Sequence, residues 1–548
     1  MTAAIYYHPE AYSTAGPKLM GRNAAGESFL RGFFAHSRTD AFWVQAGKTE
    51  HAQAFAAQAR EFGRNEPVKL VSKNNLGALV KPGTLYFPGP DIVDCAWQRS
   101  FFGHGSWSLC GVTHTTSSVA AMDAIAGLLV APIHPWDALI CTSLAVKDNV
   151  QRVLQTQADY LARRLGASRL IQPQLPVIPL GIHCDDFVFS SAQHSAAREQ
   201  LALGNALVVL YLGRLSFHAK AHPLAMYQAL ERAKSKLPAG QEVVLLECGW
   251  HANESIRRAF AEAAALACPS VRVITLDGRV EAQRQAAWAA ADVFCSLSDN
   301  IQESFGIVPL EAMAAGLPVV VSDWDGYRDS VRHGIDGYCV PTLMPAAGLG
   351  RDLAMRHALG VDTYDVYCGN ASSLVTVDVE AAVHAFAELF ASPELRSRMG
   401  EAGRQRAREM YDWKAIIPRY ETLWQQLGEI RSREGKALQA QTHPWPARMD
   451  PFAAFKAYPS TRLKPSTVLA LSGADSMERL GRLRGLTMVT SARHVLPEQT
   501  ECESFLIDLE SGPKSAGDLV KVLPKERQTL GLRSLAWLLK LGVVKLAA

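Results

Sequence analysis

Short, unbroken apolar runs alternate with longer Ala/Leu/Arg-rich segments along most of this chain, and that alternation constrains its fold more than any other feature. The runs include Ala4–Tyr7, Ala138–Thr142, Leu207–Leu212, Val243–Glu247, Val271–Leu276, Val293–Ser296 and Val319–Ser322. A strand with one wet face alternates apolar and polar residues. A run that is apolar throughout suits a strand covered on both faces, as in a parallel sheet. Between the runs lie helical stretches such as Pro223–Ser235, Ser255–Ala267 and Glu281–Ala291. Repeated βα units of this kind predict an α/β fold with doubly wound sheets, whose ligands bind beyond the carboxyl ends of the strands.

A chain of 548 residues is too long for one compact core. One βα series ends in VIPLGIHCDDFVF and a second opens with ALVVLYLGR, which predicts two Rossmann-like lobes, residues 1–185 and 186–425, facing each other across a cleft. The charged helix from Asp412 runs into the proline-containing QTHPWPARMDP, so residues 426–445 read as a linker. Residues 446–548 then form a small accessory domain, α/β or mainly helical, with a winged helix as one form it could take. Within it STVLALSG and SFLIDLES look strand-like and LRSLAWLLKLGVVKL looks like a terminal helix and turn. The 344–378 stretch, most clearly from Asp352 to Asp378, reads as an insertion near the cleft.

A net charge of +3, with 20% charged and 48% hydrophobic residues, excludes a general nucleic-acid binder and leaves room for a local cationic site for an anionic nucleotide. The ten cysteines show no CxxC pair and no metal-ligand spacing, so reduced, buried thiols in a cytoplasmic protein are expected, with no metal site. MTAAIYYHPEAY lacks a basic segment followed by an apolar core, and no window offers about 20 uninterrupted apolar residues. No transmembrane segment is expected; peripheral membrane contact stays open.

The segment ESFGIVPLEAMAAGLPVVVSD, residues 303–323, carries the strongest chemical signal. A helix should run from about Gly306 to Gly316, with Pro309 near its start, a Gly-Leu-Pro stop and a buried strand after it. Its N-terminus offers unpaired N–H groups and the positive end of a dipole, which suits a diphosphate. Glu303 precedes the helix and Glu311 lies inside it, so the two carboxylates can bind different hydroxyl-bearing parts of one ligand. In YLGRLSFHAK, a strand ends at Gly213-Arg214 and Lys220 follows at the next helix. An Arg that forks across two oxygens and a Lys acting as a point charge suit a diphosphate leaving group. In MGRNAAGESFLRGFF, Gly21 and Gly26 flank a predicted loop that would let backbone N–H groups approach a phosphate. His114, in SLCGVTHTTSS, ends an apolar run before a Thr/Ser loop; it is either an active-site histidine, with His104 as competitor, or a structural one. His134, His218 and His251 read as ordinary surface or loop residues.

Together these segments resemble the family 4 glycosyltransferases, a group with the GT-B fold and an E-x7-E motif. The resemblance covers about residues 1–425 and is specific over 205–340. It implies a retaining transferase that moves a hexosyl group from a UDP- or GDP-linked sugar to an acceptor hydroxyl, without bound metal or other cofactor. It implies that Glu303 binds donor-sugar hydroxyls, Glu311 the ribose, and Arg214 and Lys220 the diphosphate. Ser304, Phe305, Gly306, Ile307 and Val308 would face the sugar and diphosphate, Gly278 and Val280 would lie at the nucleobase, and His114 beside the reacting carbon. The helix from residue 412 resembles one that crosses back to the N-terminal lobe. Ala221 and Thr115 stand where the family usually has a glycine and an acidic residue. The acceptor could be a sugar, a lipid-linked group or a protein, and the C-terminal domain could support an oligomer. A GT-B epimerase or phosphorylase, or a non-catalytic nucleotide-sugar-binding protein, is the alternative.

Overall fold

The computed structural model describes residues 2–12, 21–435 and 444–547. The chain divides into two compact units, Met1–Trp445 and Pro446–Ala548.

The first unit holds two six-stranded sheets in which every paired strand is parallel. The N-terminal sheet comprises β1 (Ala4–Tyr6), β2 (Phe42–Gln45), β3 (Val68–Val71), β4 (Thr84–Tyr86), β5 (Ser108–Val112) and β6 (Ala138–Ile140), in the order β3-β2-β1-β4-β5-β6. The second comprises β7 (Leu207–Leu212), β8 (Val243–Gly249), β9 (Arg272–Asp277), β10 (Val293–Ser296), β11 (Val319–Ser322) and β12 (Gly337–Val340), in the order β12-β11-β10-β7-β8-β9. Both are doubly wound, so the predicted pair of Rossmann-like lobes is present. Consecutive side chains explain the unbroken apolar runs. Val208, Leu210, Val244 and Leu246 pack into one core, while Val209, Val243, Leu245 and Val293 pack into another on the opposite face.

The reversal of winding places β7 beside β10 in the second sheet, with Val293 opposite Val209. The helices that follow these two strands pack on opposite faces of the sheet, and the crevice in which open α/β sheets bind ligands lies there, at the carboxyl ends of the strands.

The helix Trp413–Glu434 belongs to the N-terminal lobe by packing. Trp413, Ile416, Ile417, Tyr420, Leu423, Trp424 and Leu427 recur at helical spacing and enter the core beneath β1, β2 and β4 to β6. Asp412 caps it and also accepts the Cys184 N–H at 3.1 Å. A Cβ at Gly32 or Gly181 would lie 2.4 Å from the Trp413 ring, so both glycines make room for this indole. The assignment of 186–425 to the second lobe is thereby corrected at its end. The 426–445 linker is also corrected: residues 426–434 are helical, because Leu427 and Gly428 continue the buried stripe. Residues 436–443 of that stretch lie outside the described residues.

In the second unit, β15 (Val468–Leu471) pairs antiparallel with β16 (Lys514–Ser515) and β17 (Val544–Leu546), and helices Ser476–Arg484, Gln499–Leu509 and Lys525–Lys540 enclose its core. SFLIDLES is helical rather than strand-like. Cys502, Phe505, Leu506 and Leu509 are buried at helical spacing while Ile507 faces out.

Candidate functional site

The crevice at the β7/β10 junction is built from two loops stitched together residue by residue. From the loop after β10, Ser298 Oγ donates to the Lys220 carbonyl at 3.4 Å and Asn300 Nδ2 to the His218 carbonyl at 3.0 Å. Asp299 accepts the His222 N–H at 3.3 Å, and burial pushes its carboxyl up to about 7. Gln302 Oε1 accepts from Arg214 Nη2 at 3.1 Å, and Arg214 also donates to the Ala219 carbonyl at 2.8 Å. Lys220 pairs with Glu303, the two side chains being 25% and 10% exposed. Arg214, Lys220 and Glu303, drawn from separate sequence motifs, thus form one cluster.

Gly306 then starts the helix Ile307–Ala314 at φ +80. A side chain there is excluded twice: the left-handed backbone disfavours it, and a Cβ would lie 1.9 Å from the Tyr327 ring. The first-turn N–H groups of Ile307 and Val308, which an α-helix leaves without an intrahelical partner, follow directly on the loop at the carboxyl end of β10. Phe305 is buried behind the turn. Ser304 reaches across to the N-terminal lobe: its hydroxyl donates to the His114 carbonyl and its own carbonyl accepts from Thr142 Oγ1 at 3.2 Å. His114 follows β5 and so lies at the crevice. His104 precedes β5, at the opposite end of the strand, where its ring sits 5.0 Å from that of His134.

Glu311 lies about 6 Å further along the helix axis from Ile307. It lines a cavity of about 510 Å³ with Arg31, Asp186, Phe187, Glu281, Arg284, Gln285 and Trp288. Burial pushes the Glu311 carboxyl up to about 7, and Arg284 acts against that rise. Arg284 Nη1 also donates to the Gly278 carbonyl at 2.8 Å, tying the turn after β9 to this cavity. Arg31 and Asp186 close its far wall with a bidentate pair, one arm at 2.8 Å. Val280 is placed at this turn, but its N–H donates to the Asp277 carbonyl and its carbonyl accepts from Gln283 and Arg284. Most of its backbone capacity is therefore committed within the turn.

One placement differs from expectation. The predicted loop between Gly21 and Gly26 is helical, since the helix Gly21–His36 begins at Gly21. Gly26 acts by contact: a Cβ there would stand 2.1 Å from the Ala11 carbonyl oxygen. The part of MGRNAAGESF before residue 21 lies outside the described residues. Histidines 134 and 218 both lie in loops, as expected, but neither is on the open surface. His134 is buried, with its pKa pushed down to about 4 by burial, and His218 lies in the β7 loop under the 364–372 helix. Residues that sequence reasoning missed include Arg31, Asp186, Arg284, Asn300 and Gln302. Among them only Arg284 carried a local signal, one turn into the helix that follows Val280.

Residues 206–349 match the family model described as glycosyl transferases group 1. A phosphatidyl-myo-inositol mannosyltransferase of Mycobacterium leprae is 34% identical over 237 residues, 43% of this chain and 54% of that protein. A D-inositol 3-phosphate glycosyltransferase of Xylanimonas cellulosilytica is 31% identical over 210 residues, 37% and 47% of the two chains. The chain thus spans about half the length of these curated relatives. The crystal structure of Anabaena HepE with UDP and glucose aligns over 79% of this chain and all of its own, at 16% identity and a TM-score of 0.48, a likeness too distant to bear on the site. No described helix is long and apolar enough to cross a membrane. The matched segment runs from β7 through the helix Ile307–Ala314 and holds Arg214, Lys220, Glu303 and Glu311, so the similarity to group 1 glycosyl transferases falls on the part of the chain that builds this crevice.

Proposed function

We propose that this protein transfers a hexosyl group from a UDP- or GDP-linked sugar to an acceptor hydroxyl, with retention at the anomeric carbon. The observation that carries the reading is the meeting of Arg214, Lys220 and Glu303 with the N-terminus of the helix Ile307–Ala314 at the β7/β10 junction. Two cations and a helix N-terminus neutralise the charge that develops on a departing diphosphate. Glu303 pairs with Lys220; a diphosphate competes for the lysine and frees the carboxylate to accept from sugar hydroxyls. Glu311 would accept from the ribose, a role supported by its cavity beside Arg284. The acceptor oxygen bonds to the anomeric carbon as the bond to phosphate oxygen breaks, and the acceptor proton passes to the leaving phosphate. The names of the curated relatives favour transfer over epimerisation or phosphorolysis, and an inositol-containing acceptor is among the candidates they raise.

The test is turnover with a panel of UDP- and GDP-sugars, with products identified in the presence and absence of acceptor. Arg214→Ala should bind free nucleotide diphosphate more weakly and lose most turnover while its circular dichroism matches the parent. Near-normal turnover by that variant would remove Arg214 from the diphosphate site.

A further inference from the structure

Beyond β12 the chain leaves the second sheet and returns at one point. There β13 (Thr342–Leu343) pairs antiparallel with β14 (Thr376–Val377), Thr342 opposite Val377. The excursion between them has its own architecture. Helices Arg351–Ala358 and Tyr364–Ser372 are joined by an Arg356–Asp362 pair at 2.7 and 2.9 Å and by His357 stacked on Tyr367 at 4.2 Å. The second helix turns Cys368 and Ser372 inward and Asp365 and Val366 outward. It lies against the β7 loop so closely that a Cβ at Gly369 would stand 2.9 Å from His218 Cβ.

Its first residue points across the crevice. Tyr364 OH is 2.9 Å from Ser117 Oγ and 3.2 Å from Thr115 Oγ1, and these two hydroxyls are 3.2 Å from each other. Both belong to the loop after β5 that carries His114. Gln302, the partner of Arg214, is a further partner for the same tyrosine hydroxyl. Uncharged hydroxyls from opposite sides of the crevice therefore meet beside the cationic loops. Each offers one rotatable donor and two acceptor lone pairs, so the cluster keeps accepting capacity after its internal bonds are made. Such a group matches a ligand that itself carries several hydroxyls; it does not match an anion, which the Arg214 and Lys220 side already serves.

We propose that the 344–375 excursion is a cap that completes the crevice opposite the cationic loops. In this arrangement Tyr364, with Ser117 and Thr115, is a specificity-determining residue for a neutral polyhydroxylated acceptor. This rests on the transfer reading above, and it adds the acceptor's chemical class and the residues that recognise it. Tyr364→Phe keeps the ring and its packing and removes only the hydroxyl; Ser117→Ala removes its partner from the other side.

The experiment uses the full chain loaded with UDP or GDP and titrated with glucose, mannose and myo-inositol, for the parent, Tyr364→Phe and Ser117→Ala. The parent should bind at least one of these polyols. Both variants should bind it at least about fivefold more weakly, while their nucleotide diphosphate affinity stays within about twofold, the size of effect a single lost neutral hydrogen bond produces. Equal polyol affinity in parent and variants, or a nucleotide-loaded parent that binds none of the three, would overturn the cap's role alone. A parent that binds neither UDP nor GDP would overturn the transfer reading and this proposal with it.

Discussion

Replacing Lys220 by Ala should separate what the lysine does for the fold from what it does for the reaction. Its side chain is 25% exposed and pairs with Glu303, whose side chain is only 10% exposed. Breaking a fully buried pair by removing one partner costs about 3–5 kcal/mol, and an exposed pair contributes 0–1 kcal/mol. The partial exposure here places the loss at about 1–2 kcal/mol, because Glu303 is left largely out of water without its partner. For a lobe of this size that is a fall of a few degrees in apparent melting temperature at fixed scan rate. Turnover should fall further. Removing one preorganised group from a developing charge costs about 10²- to 10³-fold in rate, roughly 2.7–4 kcal/mol. The double variant Lys220→Ala/Glu303→Gln isolates the two effects: the neutral amide no longer needs a cation, so most of the melting temperature should return while turnover stays lost. Differential scanning fluorimetry and a donor-consumption assay on the same preparations read both quantities. Turnover of the single variant within tenfold of the parent, or a double variant no more stable than the single, would refute the reasoning.

Gly306→Ala should destabilise the second lobe by about 2–4 kcal/mol, from a left-handed alanine plus displacement of the buried Tyr327 ring, and should weaken nucleotide diphosphate binding; chemical denaturation and calorimetry check both. Glu311 titrates near 7 in the folded protein, above its ordinary value, so the folded state holds the proton more tightly than the unfolded one. Its burial therefore costs nothing at low pH and becomes destabilising as pH rises from about 4.5 through 7, and Glu311→Gln should gain stability over the parent at pH 8 but not at pH 4. Arg99→Met should be far more damaging than any surface change. Its guanidinium is fully buried, bonded bidentately to Asp137 at 2.6 and 2.8 Å and to the Trp107 and Pro132 carbonyls at 2.9 Å, and its loss strands a buried carboxylate at a cost of about 3–5 kcal/mol, seen as loss of soluble protein or a large fall in melting temperature.

The fold was legible wherever burial wrote a pattern into consecutive residues. Strands β7, β8, β10 and β11 lie inside their sheet with both faces covered, and the runs over 207–212, 243–247, 293–296 and 319–322 announce them. The edge strand β3 shows Lys69 and Leu70 to solvent and carries no such run. Where two periods overlap, the local pattern is ambiguous. Phe505-Leu506-Ile507 looks like a strand because three apolar residues adjoin, but only Phe505 and Leu506 face the core, with Cys502 and Leu509 one turn to either side. Glycines at 21 and 26 suggest a loop because glycine frees a backbone. At Gly26 the residue instead permits contact with the Ala11 carbonyl inside a continuous helix.

The two halves of the crevice differ in how they are encoded, and the difference is physical. The cationic half uses charge placed at fixed offsets within single loop-to-helix units: Lys220 six residues after Arg214, and Glu311 eight after Glu303. Those offsets follow from strand and helix geometry, so a local pattern suffices to expose them. The opposite half is assembled by packing. Tyr364 meets Thr115 across 249 positions and Ser117 across 247, and Ser304 meets His114 across 190. Neutral hydroxyls at such separations leave no spacing to read, and each residue alone looks like ordinary loop chemistry. The excursion bearing Tyr364 lies outside the sheet and meets the β7 loop at His218 through Gly369, whereas Arg214, Lys220 and Glu303 are held by bonds among the β7 and β10 loops themselves. A shortened variant, with residues 344–375 replaced by a Gly-Ser turn between β13 and β14, should therefore keep nucleotide diphosphate affinity within a few-fold and lose polyol binding. Loss of nucleotide affinity by more than tenfold would show instead that the cap holds the cationic loops in place.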